Sequence, residues 1–182
     1  MTTNPLRRSW HLTRRFFGAL APGAPSDTDD AWVQGVLRDR LFAAWSDLPD
    51  HDRRHSVAVA RLVQTSLAET EYADDDRWLA AALVHDLGKL DADLGVFGRV
   101  GATLLRGAIG RRRTSGWSER DGVRRRCGWY FDHGPRGAVR IRACGGAEPV
   151  AQWAAAHHDR SIWPMTGIPP AVVTALDAAD DD

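Results

Sequence analysis

The sequence predicts an all-α domain, on three observations. Apolar residues recur at three- and four-residue spacing along most of the chain. The segments marked in this way are bounded by helix punctuation, with Asp or Pro before and Gly or Pro after. No stretch of any length alternates apolar and polar residues with the period of two that a strand shows, and there is no internal repeat.

The elements follow in order. Residues 1–28 mix Arg, aromatics, Pro and Gly and read as an arm ahead of a helical domain at 29–182. The arm's RRSWHLTRRFF run is basic and aromatic. It suits a tail packed on the domain and, less well, a membrane surface. Asp29 or Asp30 caps a first helix that reaches about Trp45, with Val33, Val36, Leu37, Leu41 and Phe42 at helical spacing. Leu48 and Pro49 end it. A second helix runs from about Asp50–Asp52 to Thr70, and a third from Asp74 to Leu90. A broken stretch, 91–101, leads to a short apolar helix over Ala102–Ile109. Gly110–Cys127, rich in Arg and Gly, reads as a basic loop or insertion. A helix over Pro135–Cys144 has Pro at its start and Gly145-Gly146 past its end. Glu148–His158 forms another, and the last starts at Pro169 or Pro170 and runs to the C-terminus.

Composition narrows the function. The 182 residues suffice for one domain with a real core, and 43% hydrophobic with 26% charged residues is a folding composition. A formal net charge of zero does not point to nucleic acid. Two cysteines, Cys127 and Cys144, make neither a disulfide framework nor a zinc motif, and a reduced, cytoplasmic setting is expected. No apolar run approaches the roughly 20 residues of a membrane span. TRRFFGALAP resembles a twin-arginine leader, but its apolar part stops at Pro22, so no export is expected. The eight tryptophans suit a core or a cleft equally.

Chemistry concentrates in LAAALVHDLGKL, Leu79–Leu90. This helix is apolar nearly all round, so it should be buried, yet it carries His85, Asp86 and Lys89. A buried carboxylate must be paired or neutralised. A metal ion would do both for Asp86 and would take a lone pair from His85. An Asp86–Lys89 ion pair beside a hydrogen-bonded core histidine would serve as well. The other histidines tilt the balance. His55 shares a side of its helix with Val59 and Leu62, and His157 is in line with Val150 and Ala154, so both should face inward. His158 follows directly. His133 sits just before a helix start, where it is either a ligand or a cap. One inward histidine is usually structural; so many stations, with an aspartate among them, suit a multidentate metal site.

In the order HSVAVA, LVHDLGKL, DHG, AAHHD and LDAADDD, the chain resembles the HD superfamily of metal-dependent phosphohydrolases over roughly residues 50–182. The spacing is part of the likeness, because His55 lies 30 residues before His85. The resemblance implies an HD-like all-α bundle. It implies a divalent metal (Mn, Fe, Mg, Co, Ni or Zn) held by His55, His85, Asp86 and a late aspartate. Asp180 is preferred as that aspartate, with Asp177 one turn earlier as the alternative. His133, His157 and His158 fall in the order that holds a second metal in the multi-histidine HD-GYP branch and in HD-fold oxygenases. The chain departs from HD-GYP after HHD, reading RSIWPMTGIPP, so a cyclic dinucleotide is not implied.

Asp86 and Lys89 are the expected catalytic residues. Lys89, one turn past His85, could offset charge on a phosphoryl oxygen. Between Arg106 and Arg142 lie eleven arginines and only three acids, Glu119, Asp121 and Asp132. Arginine forks fit phosphate, so a small phosphorylated substrate, a phosphate mono- or diester with nucleotides among them, is the expectation. Specific nucleic-acid binding is not expected, because only Trp117 and Trp129 interleave that stretch. The rival expectations are a di-iron oxygenase and a non-catalytic module that binds a nucleotide or partner.

Overall fold

The computed structural model describes residues 23–181. It is all α-helix with short 3-10 turns, and no strand occurs among the described residues. The helices are α1 (Asp27–Val36), α2 (Asp39–Ser46), α3 (Asp50–Leu67), α4 (Asp76–Val84), α5 (Lys89–Ala92), α6 (Val96–Ile109), α7 (Arg111–Thr114), α8 (Gly122–Phe131), α9 (His133–Ala143), α10 (Glu148–Ala156) and α11 (Pro170–Asp180). Nearly all of the expected arm lies outside the described residues. No helix among the described residues is long and apolar enough to cross a membrane.

Helix α4 is the centre of the bundle. It packs on α3 along one side and α10 along another; α10 packs on α9, and α11 closes against α3. The run Ala80-Ala81-Ala82 makes this layering possible, because small side chains let neighbouring helices approach on several sides. Every residue from Trp78 to Gly88 is buried.

Several expected boundaries move, each for a local reason. The first helix begins at Asp27 rather than at Asp29 or Asp30, because the Ser26 hydroxyl accepts the Asp29 N–H at 3.1 Å. It breaks where Leu37 turns extended, so α1 and α2 replace one helix and both bury apolar faces on the core. The third helix stops at Val84. The chain then tightens into i→i+3 bonds, Leu87 N–H to Val84 O at 3.1 Å and Lys89 N–H to Asp86 O at 2.9 Å. Helix α6 starts six residues before the expected Ala102, because Arg99 folds back on the Leu94 carbonyl at 2.9 Å and pairs with buried Asp52 on α3. The basic segment 110–127 is not a plain loop; it carries α7, a 3-10 turn at Trp117–Glu119 and the start of α8. Gly128 allows this, since a Cβ there would lie 2.2 Å from Ser118 N. Helix α9 starts at His133, with Pro135 third in the helix, where its missing N–H has no intrahelical acceptor anyway. It ends in a Schellman turn: Gly145 has φ +80° and Gly146 N–H reaches Ile141 O at 2.9 Å. Helix α10 stops at Ala156, leaving His157 as its cap. On α3 the core stripe runs through Ser56, Val59, Val63 and Leu67, so Leu62, expected inward, is 41% exposed.

Trp45 is fully buried, and its Nε1–H donates to Ser56 Oγ at 2.9 Å. Trp45→Phe removes that donor and part of the ring volume. It should cost about 2 kcal/mol and lower Tm by about 4–8 °C. Thermal denaturation followed by circular dichroism checks this.

Candidate metal centre

Five elements bring the chemistry-bearing side chains together. His55 comes from α3, His85 and Asp86 from the turn after α4, His133 from the start of α9, His157 and His158 from the end of α10, and Asp180 from the last turn of α11. Two glycines set the spacing between the His85-Asp86 turn, α9 and α10. A Cβ on Gly88 would fall 1.9 Å from the His133 carbonyl oxygen, and one on Gly134 would fall 2.8 Å from the Ala154 oxygen. Glycine at these positions lets the backbone carrying His133 lie against both the His85-Asp86 turn and α10.

Three of the imidazoles are oriented in one way. The Nδ1–H of His85 donates to Ala82 O at 2.7 Å, that of His133 to Tyr130 O at 2.7 Å, and that of His157 to Ala154 O at 2.8 Å. Each acceptor is a carbonyl in the last turn of the preceding helix, a group in need of a donor. A carbonyl only accepts, so Nδ1 carries the proton, and in each neutral ring Nε2 presents a lone pair. A backbone carbonyl on one ring nitrogen is a common way to aim the other at a metal.

These Nε2 atoms converge on carboxylates. Asp86 is buried and stands between two groups. Its Oδ2 pairs with Lys89 and lies 3.4 Å from His85 Nε2. Its Oδ1 lies 3.1 Å from His133 Nε2 and 3.9 Å from His157 Nε2. Asp180 Oδ1 is 3.1 Å from His55 Nε2 and 3.5 Å from His85 Nε2. His158 Nε2 is 3.1 Å from His133 Nε2. Asp177, the alternative late aspartate, instead accepts from the Arg160 guanidinium at 2.8 and 3.0 Å.

Lone pair facing lone pair is repulsive unless a proton or a metal ion lies between. Burial opposes a charge on His85, but the Asp86 and Asp180 carboxylates outweigh it and hold its pKa up to about 10. Burial also opposes charge on Asp86, yet Lys89 and His85 keep its carboxyl well below the usual range. His157 goes the other way. Burial first, then the neighbouring His158, His85 and His133, depress it well below the ordinary histidine value. Burial and His133 push His158 down to about 4. The pocket therefore attracts positive charge at the His85 end and keeps the His157-His158 end neutral, which is the ligand form of imidazole.

The donors fit a divalent cation. The buried His85 Nε2, His157 Nε2 and Asp86 Oδ1 atoms have no hydrogen-bond partner. Three groupings, His55/His85/Asp180, His85/Asp86/His157 and His133/His157/His158, each place their ligand atoms within 4.8 Å of one another. The plainer alternative, an Asp86–Lys89 ion pair beside a satisfied histidine, accounts for Lys89 but leaves those three buried atoms without partners.

A model of the HD domain family matches residues 53–181, more than half of the chain. The chain belongs to the HD domain family. No curated protein and no solved structure was found to match it. HD domains are a metal-dependent, hydrolase-type family, and this all-α bundle with its clustered His and Asp side chains agrees with that.

One part of this HD domain's site carries a signal that is easy to overlook. His51 lies one turn before His55 on α3. Its Nε2 sits 3.3 Å from an Arg99 Nη and 3.4 Å from Asp52 Oδ1. Burial lowers the His51 pKa; Asp52 opposes this, while Arg99, Lys89 and Arg54 reinforce it. Tyr130 stacks on His133, with ring centroids 5.9 Å apart. Much of the arginine-rich stretch between Arg106 and Arg142 has structural duties. Arg136 and Arg140 hold Asp91, Arg142 holds Glu148, Arg126 holds Asp93, and Arg106 lies over Phe131.

Proposed function

We propose that this HD domain is a phosphohydrolase acting on a small phosphate mono- or diester, nucleotides among them, with a binuclear centre bridged by Asp86. The observation that carries the reading is the position of Asp86, whose two oxygens face different imidazoles. Oδ2 is turned to His85 at 3.4 Å, and Oδ1 to His133 at 3.1 Å. In this reading His55, His85, Asp86 and Asp180 would hold one cation, and Asp86, His133, His157 and His158 would hold the second. Bound divalent cations supply a hydroxide-like nucleophile near neutral pH and polarise a phosphoryl oxygen. The protein's own part is orientation and charge. The backbone carbonyls of Ala82, Tyr130 and Ala154 lock three rings. Lys89, beside Asp86, is placed to offset negative charge on a phosphoryl oxygen. Exposed Arg111, Arg112 and Arg113 favour the approach of anions.

Metal content by elemental analysis tests this, on protein purified without added metal and again after soaking with manganese, iron, nickel or zinc. Wild type should carry about two divalent cations per chain and His133→Ala about one. About one in both proteins would make the centre mononuclear. None after soaking would remove metal chemistry and leave a binding module, recognised by a ligand-induced rise in Tm without turnover. Iron that consumes oxygen, with no hydrolysis of phosphoesters under manganese, would turn the reading to the HD-fold oxygenase.

A further inference from the structure

The outer side of α6 is apolar where a helix on a protein surface is usually polar. At 100° per residue, Arg99, Ala102 and Arg106 share the side that packs on the body, and Arg99 and Ala102 are buried. Gly101, Leu104, Leu105 and Ala108 lie away from it and are exposed, Leu104 by 68% and Leu105 by 41%. An apolar row turned to solvent is costly in a protein that has no use for it.

The charge around this row is of one sign. No acidic residue occurs between Asp93 and Glu119. Immediately past the end of α6, Arg111, Arg112 and Arg113 are all exposed, and among the described residues none of the three pairs with a carboxylate. The C-terminal end of α6 carries the negative pole of its dipole, so cations there are also favoured locally. Leucines beside unpaired arginines match one environment in particular. A lipid interface accepts Leu at the acyl boundary, and anionic headgroups accept guanidinium. A nucleic acid would use the arginines but gain nothing from Leu104 and Leu105.

We propose that the outer face of α6, with Arg111–Arg113, docks the protein peripherally on an anionic phospholipid surface. Arg106, on the inner side of α6, rests on Phe131, two residues before His133, so α6 stands between its outer face and the segment that carries His133. The proposal does not depend on which reaction the centre performs.

Co-sedimentation of the full chain with vesicles tests it, comparing phosphatidylcholine alone with phosphatidylcholine plus phosphatidylserine. Binding should require phosphatidylserine and weaken with salt. Arg111→Ala/Arg112→Ala/Arg113→Ala should weaken partitioning about a hundredfold, near fivefold per arginine. Leu104→Asp/Leu105→Asp should weaken it by about tenfold or more, with Tm and metal content unchanged in both variants. Absence of binding to phosphatidylserine vesicles would overturn the proposal. So would binding that survives the leucine changes, or a dimer in solution that the same leucine changes dissociate.

Discussion

Replacing Asp86 with Asn should cut phosphoester hydrolysis on the order of a thousandfold and lower the metal content to less than one cation per chain, since metal activation supplies several kcal/mol and each 1.36 kcal/mol is tenfold. Asn keeps the shape of the side chain and removes its charge and its second anionic oxygen. In wild type those two oxygens serve opposite sides of the pocket, His85 and Lys89 on one, His133 and His157 on the other. An amide cannot serve two cations at once. The fold should survive, because Asn leaves the packing of α4 against α3 and α10 intact and Lys89, at the edge of the pocket, can turn to water. Elemental analysis, a phosphatase assay under manganese and far-UV circular dichroism together read the result. An Asn variant that kept two cations and full turnover would remove the bridging role. One that lost helical content would make Asp86 a structural residue.

How much of this was legible in the sequence depended on the distance over which each signal acts. The all-α class rests on local periodicity and on stops such as Gly145 past α9, and the structure bears the class out, while it divides the first expected helix in two and adds α7 and α8 where a basic loop or insertion was expected. The HD family membership was legible too, because His55, His85-Asp86, His133, His157-His158 and a late aspartate follow one another in the order that the family shows, whereas the His85-Asp86 helix alone suited an ion pair as well. Periodicity could not show where α4 ends. Leu83, Val84 and Leu87 are buried on both sides of the break, so the apolar pattern runs straight through the turn that carries His85 and Asp86. The arginines were harder still. Arg136 and Arg140 meet Asp91 across 45 and 49 residues, and Arg99 meets Asp52 across 47, separations at which a single sequence carries no pairing signal. A run of positive charge therefore read as one phosphate-binding feature, whereas the fold divides it into structural pairs and exposed arginines, Arg111–Arg113 among them. His51 was the exception, since its place one turn before His55 is a local signal.

The L-G-K glycine carries the second large effect. Gly88 has φ −69° and ψ −12°, a helical conformation open to any residue, so conformational freedom is not what it contributes. It contributes space. A Cβ there would stand 1.9 Å from His133 O, 2.5 Å from Gly137 N and 2.8 Å from the His133 carbonyl carbon, all backbone atoms that cannot rotate aside. Gly88→Ala must therefore push α9 away from the His85-Asp86 turn, at a cost of about 3 kcal/mol or more and a fall in Tm of about 6–12 °C. The chemical consequence should be selective. His133 rides on the displaced helix, whereas His55, His85 and Asp180 sit on other elements. Occupancy by the second cation should fall first, and a shift near 1 Å at His133 should cost on the order of a hundredfold in turnover. Gly101→Ala is the contrast: it lies on the exposed side of α6 with nothing within 4 Å of its Cβ, so it should be neutral or slightly stabilising. A Gly88→Ala protein as stable as Gly101→Ala, with both cations retained, would mean that the close approach of α9 to the HD turn is wrong, and with it the placing of His133 at the centre.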